Sequence, residues 1–140
     1  MRVFVDTNIF IAYLLSPRKD SLVKLLLDKV AVGEVTLLVS RELLEEIEAT
    51  VQRKPKLIKI VTKSRLSEFI QLLLDVSEEI PLITQPIPKI TRDPKDDYLI
   101  AYAVLGQADY LVSGDNDLLV LKEIQSVKML DSAAFRRLIS

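Results

Sequence analysis

The chain has 140 residues, 49% of them hydrophobic, and a formal net charge of −1, with no Cys, no His, no Trp and three Gly. That length suits one domain spanning residues 1–140, and the apolar fraction is too high for a disordered segment. Without Cys and His, disulfides, thiol or imidazole nucleophiles and soft-metal sites are excluded, so an all-oxygen donor set favours a hard cation such as Mg²⁺ or Mn²⁺.

Arg2–Val5 reads as a short strand, and Asn8–Leu15 as a helix broken at Ser16-Pro17. Asp20 or Ser21 can cap a second helix running through Ala31, and Val35–Val39 is a strand. Ser40 caps a helix to about Arg53, stopped before Pro55, and residues 55–63 fit no single pattern. Ser64 is expected to cap the next helix to about Ser77, and Ile80–Ile83 to form a short strand. Residues 84–92, with two prolines, form a loop, and Asp93-Pro94 has the N-cap and first-turn chemistry of a helix that ends near Gly106. Tyr110–Ser113 is a strand and Leu118–Ile124 a short helix. Val127–Leu130 is the last strand and Ser132–Ile139 the last helix. No apolar run approaches the ~20 residues of a membrane span, and the start is unlike a signal peptide, so a cytoplasmic protein is expected.

Strands and helices alternate, and the strands are short apolar runs without polar alternation. That is the pattern of an α/β fold with a central parallel sheet covered on both faces. Ligands of such sheets lie beyond the carboxyl ends of the strands. Asp6 closes the first strand there, and Asp115 follows the strand at Tyr110, with Asp117 two residues on.

The helix opening Asp93-Pro94-Lys95-Asp96-Asp97 carries three acids in its first turn. Capping and the helix dipole account for Asp93 and Asp96. Asp97 shares the spacing i, i+3, i+4, i+7 with Ile100, Ala101 and Val104, so it falls on an apolar stripe and needs a partner when ionised. In the helix after Ser40, Leu43, Leu44, Ile47 and Val51 define the buried face. Glu42 and Glu45 point to solvent, while Glu46 and Glu48 flank the stripe and periodicity does not choose between them. Two like charges ~4 Å apart repel by roughly 4 kcal/mol at an effective dielectric of 20. A cluster of these acids therefore calls for a divalent cation or for protonation of some members.

The segments Val3-Phe4-Val5-Asp6-Thr7-Asn8, Ser40-Arg41-Glu42-Leu43-Leu44-Glu45-Glu46-Ile47, Asp93-Pro94-Lys95-Asp96-Asp97-Tyr98 and Ser113-Gly114-Asp115-Asn116-Asp117 resemble, in order and spacing, the four motifs of the PIN-domain family of metal-dependent ribonucleases. The branch they are most similar to is that of the VapC-type toxins. The resemblance implies a Rossmann-like three-layer α/β/α fold, Mg²⁺- or Mn²⁺-dependent hydrolysis of RNA, a cognate antitoxin and a homodimer. It selects Glu46 over Glu48 and makes Asp6, Glu46, Asp97 and Asp115 the catalytic and metal-holding acids, with Asp93 and Asp117 secondary. Thr7, Asn8 and Ser113 are then supporting residues.

Between Arg53 and Arg65 lie six bases and no acid. Arg53, Lys54, Lys56 and Lys59 are expected to contact RNA phosphates, with Arg18, Lys19 and Arg92 adding to the rim. Tyr13 and Tyr98 offer faces for base stacking or ordinary packing. Three alternatives stand beside the toxin. One is an RNA-processing nuclease without an antitoxin. Another is a non-catalytic module on the same scaffold. The third, an aspartyl-phosphate phosphatase, needs a second Asp where Asn8 stands.

Overall fold

The computed structural model describes residues Met1–Ser140. Five segments run as strands of one sheet side by side in parallel or nearly so, and a sixth closes the edge. The elements are β1 (Arg2–Val5), α1 (Thr7–Leu15), α2 (Leu22–Ala31), β2 (Thr36–Val39), α3 (Arg41–Arg53), α4 (Pro55–Ile60), α5 (Lys63–Val76), β3 (Glu78–Glu79), α6 (Pro94–Leu105), β4 (Tyr110–Val112), α7 (Asn116–Leu119), β5 (Glu123–Ile124), β6 (Val127–Leu130) and α8 (Ser132–Ile139). The sheet order is β3-β2-β1-β4-β6-β5. Every neighbouring pair is parallel except β5 with β6.

The central strands β1, β2 and β4 are buried almost throughout, as their unalternating Val, Leu and Phe content requires of a sheet covered on both faces. One apolar cluster of 35 buried residues joins sheet and helices, with Phe4, Leu37, Leu38, Leu111 and Phe135 fully hidden. From β1 the chain winds outward through β2 to β3, then returns across the sheet through α6 to β4. The strand order therefore reverses between β1 and β4, and the right-handed rule for parallel crossovers assigns α6 to the face opposite α1 and α3. A crevice opens where neighbouring connections diverge in this way.

Local chemistry sets the helix starts. Ser21, Ser40, Asp93 and Asp131 accept from the amides of Lys24, Leu43, Lys95 and Ala134. Three expectations need correction. Thr62, not Ser64, caps α5, its hydroxyl accepting from the Arg65 amide at 3.2 Å, because the helix starts one residue before Ser64. The third strand pairs through Glu78 and Glu79 rather than Ile80–Ile83, since Pro81 has no amide to donate beyond the Ile80 N–H to Val39 bond. The helix expected over Leu118–Ile124 occupies Asn116–Leu119, and Glu123–Ile124 instead forms an antiparallel edge strand. Gln125 and Ser126, at φ 46° and 74°, make the two-residue turn of that hairpin. Two non-glycine residues at positive φ carry no sequence signal for such a turn, which normally shows Asn-Gly. The unassigned stretch after Pro55 is α4, with Pro55 at its first turn.

At the amino-terminal edge of the sheet, charges are matched internally. Arg2 donates to both oxygens of Glu78 and to the Gly106 carbonyl, and its amide donates to Asp109.

A candidate metal centre at the strand-order reversal

At the opposite edge the charges are not matched. Beyond β1 and β4, a cleft of about 630 Å³ opens between α3 and α6. Seven acidic side chains line it against three basic ones, Arg53, Lys54 and Lys95.

Asp6 ends β1 and caps α1 from extended backbone, and its amide donates to the Val112 carbonyl at 2.9 Å. Val112 ends β4, so the parallel register sets Asp6 beside Ser113. The buried Ser113 hydroxyl donates to Asp6 Oδ2 at 2.7 Å and accepts from the Asp115 amide at 3.0 Å. Asp115 in turn accepts from the Asp117 amide at 2.9 Å and caps α7. Burial pushes the Asp6 carboxyl above its ordinary value. Hydrogen bonds from Ser113, Asn8 and Thr7 work against that rise, and the charge of Asp115 adds to it.

The third acid comes from the first turn of α6, and it is Asp96. Its side chain is 4% exposed and lines the cleft, and Oδ2 has no hydrogen-bond donor. Burial, then the Asp115 carboxylate, then Asp93 and Asp6, push its carboxyl up to about 7. Carboxylate oxygens of Asp96, Asp115 and Asp117 lie within 4.8 Å of one another. A desolvated acid with an unpaired oxygen facing other carboxylates is costly unless a proton or a cation joins it. Oxygen-only donors at this spacing fit a hard divalent cation.

Asp97, expected among these acids, lies apart from them. It is equally buried, at 6%, but faces the other side of α6. There it lines an apolar groove with Ile100, Ala101 and Val104, the stripe its spacing predicts. Its partner is backbone. Oδ1 accepts from the amides of Ile90 at 3.0 Å and Thr91 at 2.7 Å and from the Thr91 hydroxyl at 3.0 Å. Burial alone raises this carboxyl, yet those donors together hold it below the usual range. The α6 sequence misled because Leu99-Ile100-Ala101-Tyr102-Ala103-Val104-Leu105 is apolar on nearly every side. Asp96, Leu99 and Ala103 share a second stripe, and a one-residue difference in register moves the acid to the opposite face.

Glu46 lines the cleft and pairs with Lys95 at 3.3 Å, whereas Glu48 is exposed outside the cleft. Glu42, expected in solvent, is half-buried in the cleft wall with Oε2 unpaired, because Tyr102 of α6 packs beside it. Beside it the Tyr102 hydroxyl is shifted up, first by burial and then by Glu42. Sequence reading missed both residues in this wall.

Thr7 is buried and Asn8 exposed, and both line the cleft, as do Asp93 and Tyr98. The basic segment divides. Arg53 and Lys54 reach the cleft, but Lys56 and Lys59 sit on the exposed side of α4 outside it. Arg65 turns inward and donates to the Leu14 carbonyl at 3.0 Å, closing the end of α1. Arg18 pairs with Asp20, and Tyr13 packs on Phe69 at 5.7 Å. Arg92 pairs with Asp117 through two bonds of 3.0 and 3.1 Å.

The family profile of the PIN domain matches residues 2–117. No curated protein matches the chain. Among solved structures, the chain is similar to one in the crystal structure of VapBC2 from Rickettsia felis bound to a DNA fragment from their promoter. The TM-score is 0.61 and the identity 16%, over 94% of this chain and 98% of that one.

Proposed function

The chain belongs to the PIN-domain family, and from that premise we propose that it is a metal-dependent endoribonuclease, the toxin of a toxin–antitoxin pair. One observation carries this reading. The strand-order reversal draws Asp6, Asp96 and Asp115 together, and Asp96 keeps a buried oxygen without a donor. PIN domains are generally nucleases, which matches a site built from carboxylates with no His or Cys.

In this reading Asp6, Glu46, Asp96 and Asp115 hold Mg²⁺ or Mn²⁺, with Asp93 and Asp117 at the rim. Bound there, such a cation supplies a more acidic water and offsets charge on the phosphate. Ser113 fixes the Asp6 carboxylate and the Asp115 backbone through one hydroxyl, an outer partner that sets ligand orientation. Thr7 and Asn8 support the same wall. Arg53 and Lys54 offset the repulsion between an acidic cleft and an RNA backbone.

The surplus of acids in the cleft fits an antitoxin that covers it with a basic side chain. A second copy of the chain is the other proposed partner, and the cytoplasm the proposed compartment. No helix is long and apolar enough to cross a membrane.

The test is cleavage of labelled RNA by the purified chain. Cleavage is expected with Mg²⁺ or Mn²⁺ and not in excess chelator, and Asp6→Asn is expected to abolish it. Undiminished cleavage in chelator contradicts the reading. Light scattering of the same preparation reads the dimer.

A further inference from the structure

Two cations of the α6 start reach outward to acids of different elements, one lining the cleft and one beside its Asp96 and Asp115 carboxylates. Arg92, just before the Asp93 cap, holds Asp117 of α7 with two bonds. Lys95, in the first turn, holds Glu46 of α3 at 3.3 Å. The heads are open to solvent, with side-chain exposures of 84% and 67%. Ion pairs so exposed are weak and exchange partners readily.

Their backbone is fixed. Asp97 takes three hydrogen bonds from Ile90 and Thr91 and so clamps the segment leading to Arg92 against α6. The Thr91 hydroxyl accepts from the Asp93 amide at 3.2 Å, and the Asp93 carboxylate accepts from the Lys95 amide. Thus the chain anchors both residues firmly at the backbone while leaving their charged ends free. Such an arrangement is wasteful for a salt bridge and suited to gripping a ligand, since little order is lost on binding.

We propose that Arg92 and Lys95 are paired phosphate grips at the acidic cleft. They exchange Asp117 and Glu46 for phosphate oxygens of a single-stranded RNA as it enters. This rests on the reading of the cleft as a ribonuclease site. The exchange is favoured when Asp117 and Glu46 turn to a cation, because the carboxylates then no longer need the two bases. The guanidinium fork of Arg92 matches two phosphate oxygens, and Lys95 serves as a point charge. Both are positioning residues that touch backbone, so they act without regard to base sequence.

The test measures binding of a fluorescent single-stranded RNA whose phosphate links resist hydrolysis to the Asp6-intact chain against KCl concentration, with Mg²⁺ present. Steady-state cleavage is run in parallel on the Asp6-intact chain. Each of Arg92→Gln and Lys95→Gln is expected to lower the slope of log affinity against log salt by about 0.7, one phosphate contact on a single strand. Arg92→Lys is expected to restore the slope, because charge is kept. In cleavage, KM rises and kcat is retained. An unchanged slope in both Gln variants overturns the proposal. So does a fall in kcat at constant KM, which indicates that the bases merely brace Asp117 and Glu46. Thermal melting confirms folding, and Arg92→Lys supplies a folded comparison if a Gln variant melts early. If the intact chain cleaves no RNA, the nuclease reading fails on its own, while the salt slope still decides the grips.

Discussion

Asp96 and Asp97 are neighbours in the chain and nearly equal in burial, at 4% and 6%, but lie on opposite sides of α6. On one side Asp96 meets Asp6, Asp93 and Asp115, finds no donor for Oδ2, and its carboxyl is pushed up to about 7. On the other, Asp97 meets two amides and a hydroxyl, and its carboxyl falls below the usual range. Burial alone disfavours both charges, so what they face decides the outcome. A satisfied carboxylate is a structural part. An unsatisfied one among other carboxylates calls for a proton or a cation.

The largest expected effect lies on the cleft side. Asp96→Asn is expected to lower RNA cleavage about 10³-fold, the several kcal/mol a catalytic cation supplies. Asp97→Asn, measured in the same assay, is expected to lose far less. Equal losses erase the distinction between the two faces.

Asp97→Ala is expected to destabilise the fold by about 2–4 kcal/mol in urea unfolding, because the Ile90 and Thr91 amides lose a charged acceptor. Asp96→Ala in the same measurement, without metal, is expected to be neutral or stabilising, since it removes an unpaired buried charge.

The pH dependence sharpens the contrast further. A carboxyl raised from its unfolded value near 3.9 to about 7 binds its proton more tightly in the native state. Between those values the native chain holds more protons than the unfolded one, so stability falls as pH rises from about 4 to about 7. Metal-free unfolding across this range is expected to show that decline, and Asp96→Asn to flatten it. Asp97 carries the opposite sign. Its lowered value contributes stability above the unfolded value and loses it as pH falls through the native one.

The smallest effect is expected at Ser113. Ser113→Ala removes the hydroxyl between Asp6 and the Asp115 amide, and metal affinity is expected to fall about 10–100-fold, read by calorimetry. No change would mean that the Ser113 hydroxyl does not orient Asp6.

Much of this was legible in the residues. The acids after β1 and β4, the Ser40 and Asp93 caps and the parallel core follow from local chemistry and from the rule for open sheets. Spacing also placed Asp97 correctly on an apolar stripe in need of a partner. What spacing does not carry is the identity of that partner, which is the irregular backbone six and seven residues upstream, where no periodic rule applies. Nor can it orient a helix that is apolar nearly all round, which is why Asp96 went unchosen. The β5–β6 hairpin was hidden because Gln125 and Ser126 take positive φ without glycine. Lys56 and Lys59 share a charge run with Arg53 and Lys54, but the break at Pro55 turns them away from the cleft.

The most direct measurement is a Mn²⁺ titration followed by electron paramagnetic resonance on the intact chain, Asp96→Asn and Asp97→Asn. The intact chain and Asp97→Asn are expected to bind Mn²⁺ alike, and Asp96→Asn to bind at least about 100-fold more weakly, as loss of a direct ligand exceeds loss of an outer one. Binding retained by Asp96→Asn and lost in Asp97→Asn would contradict the account.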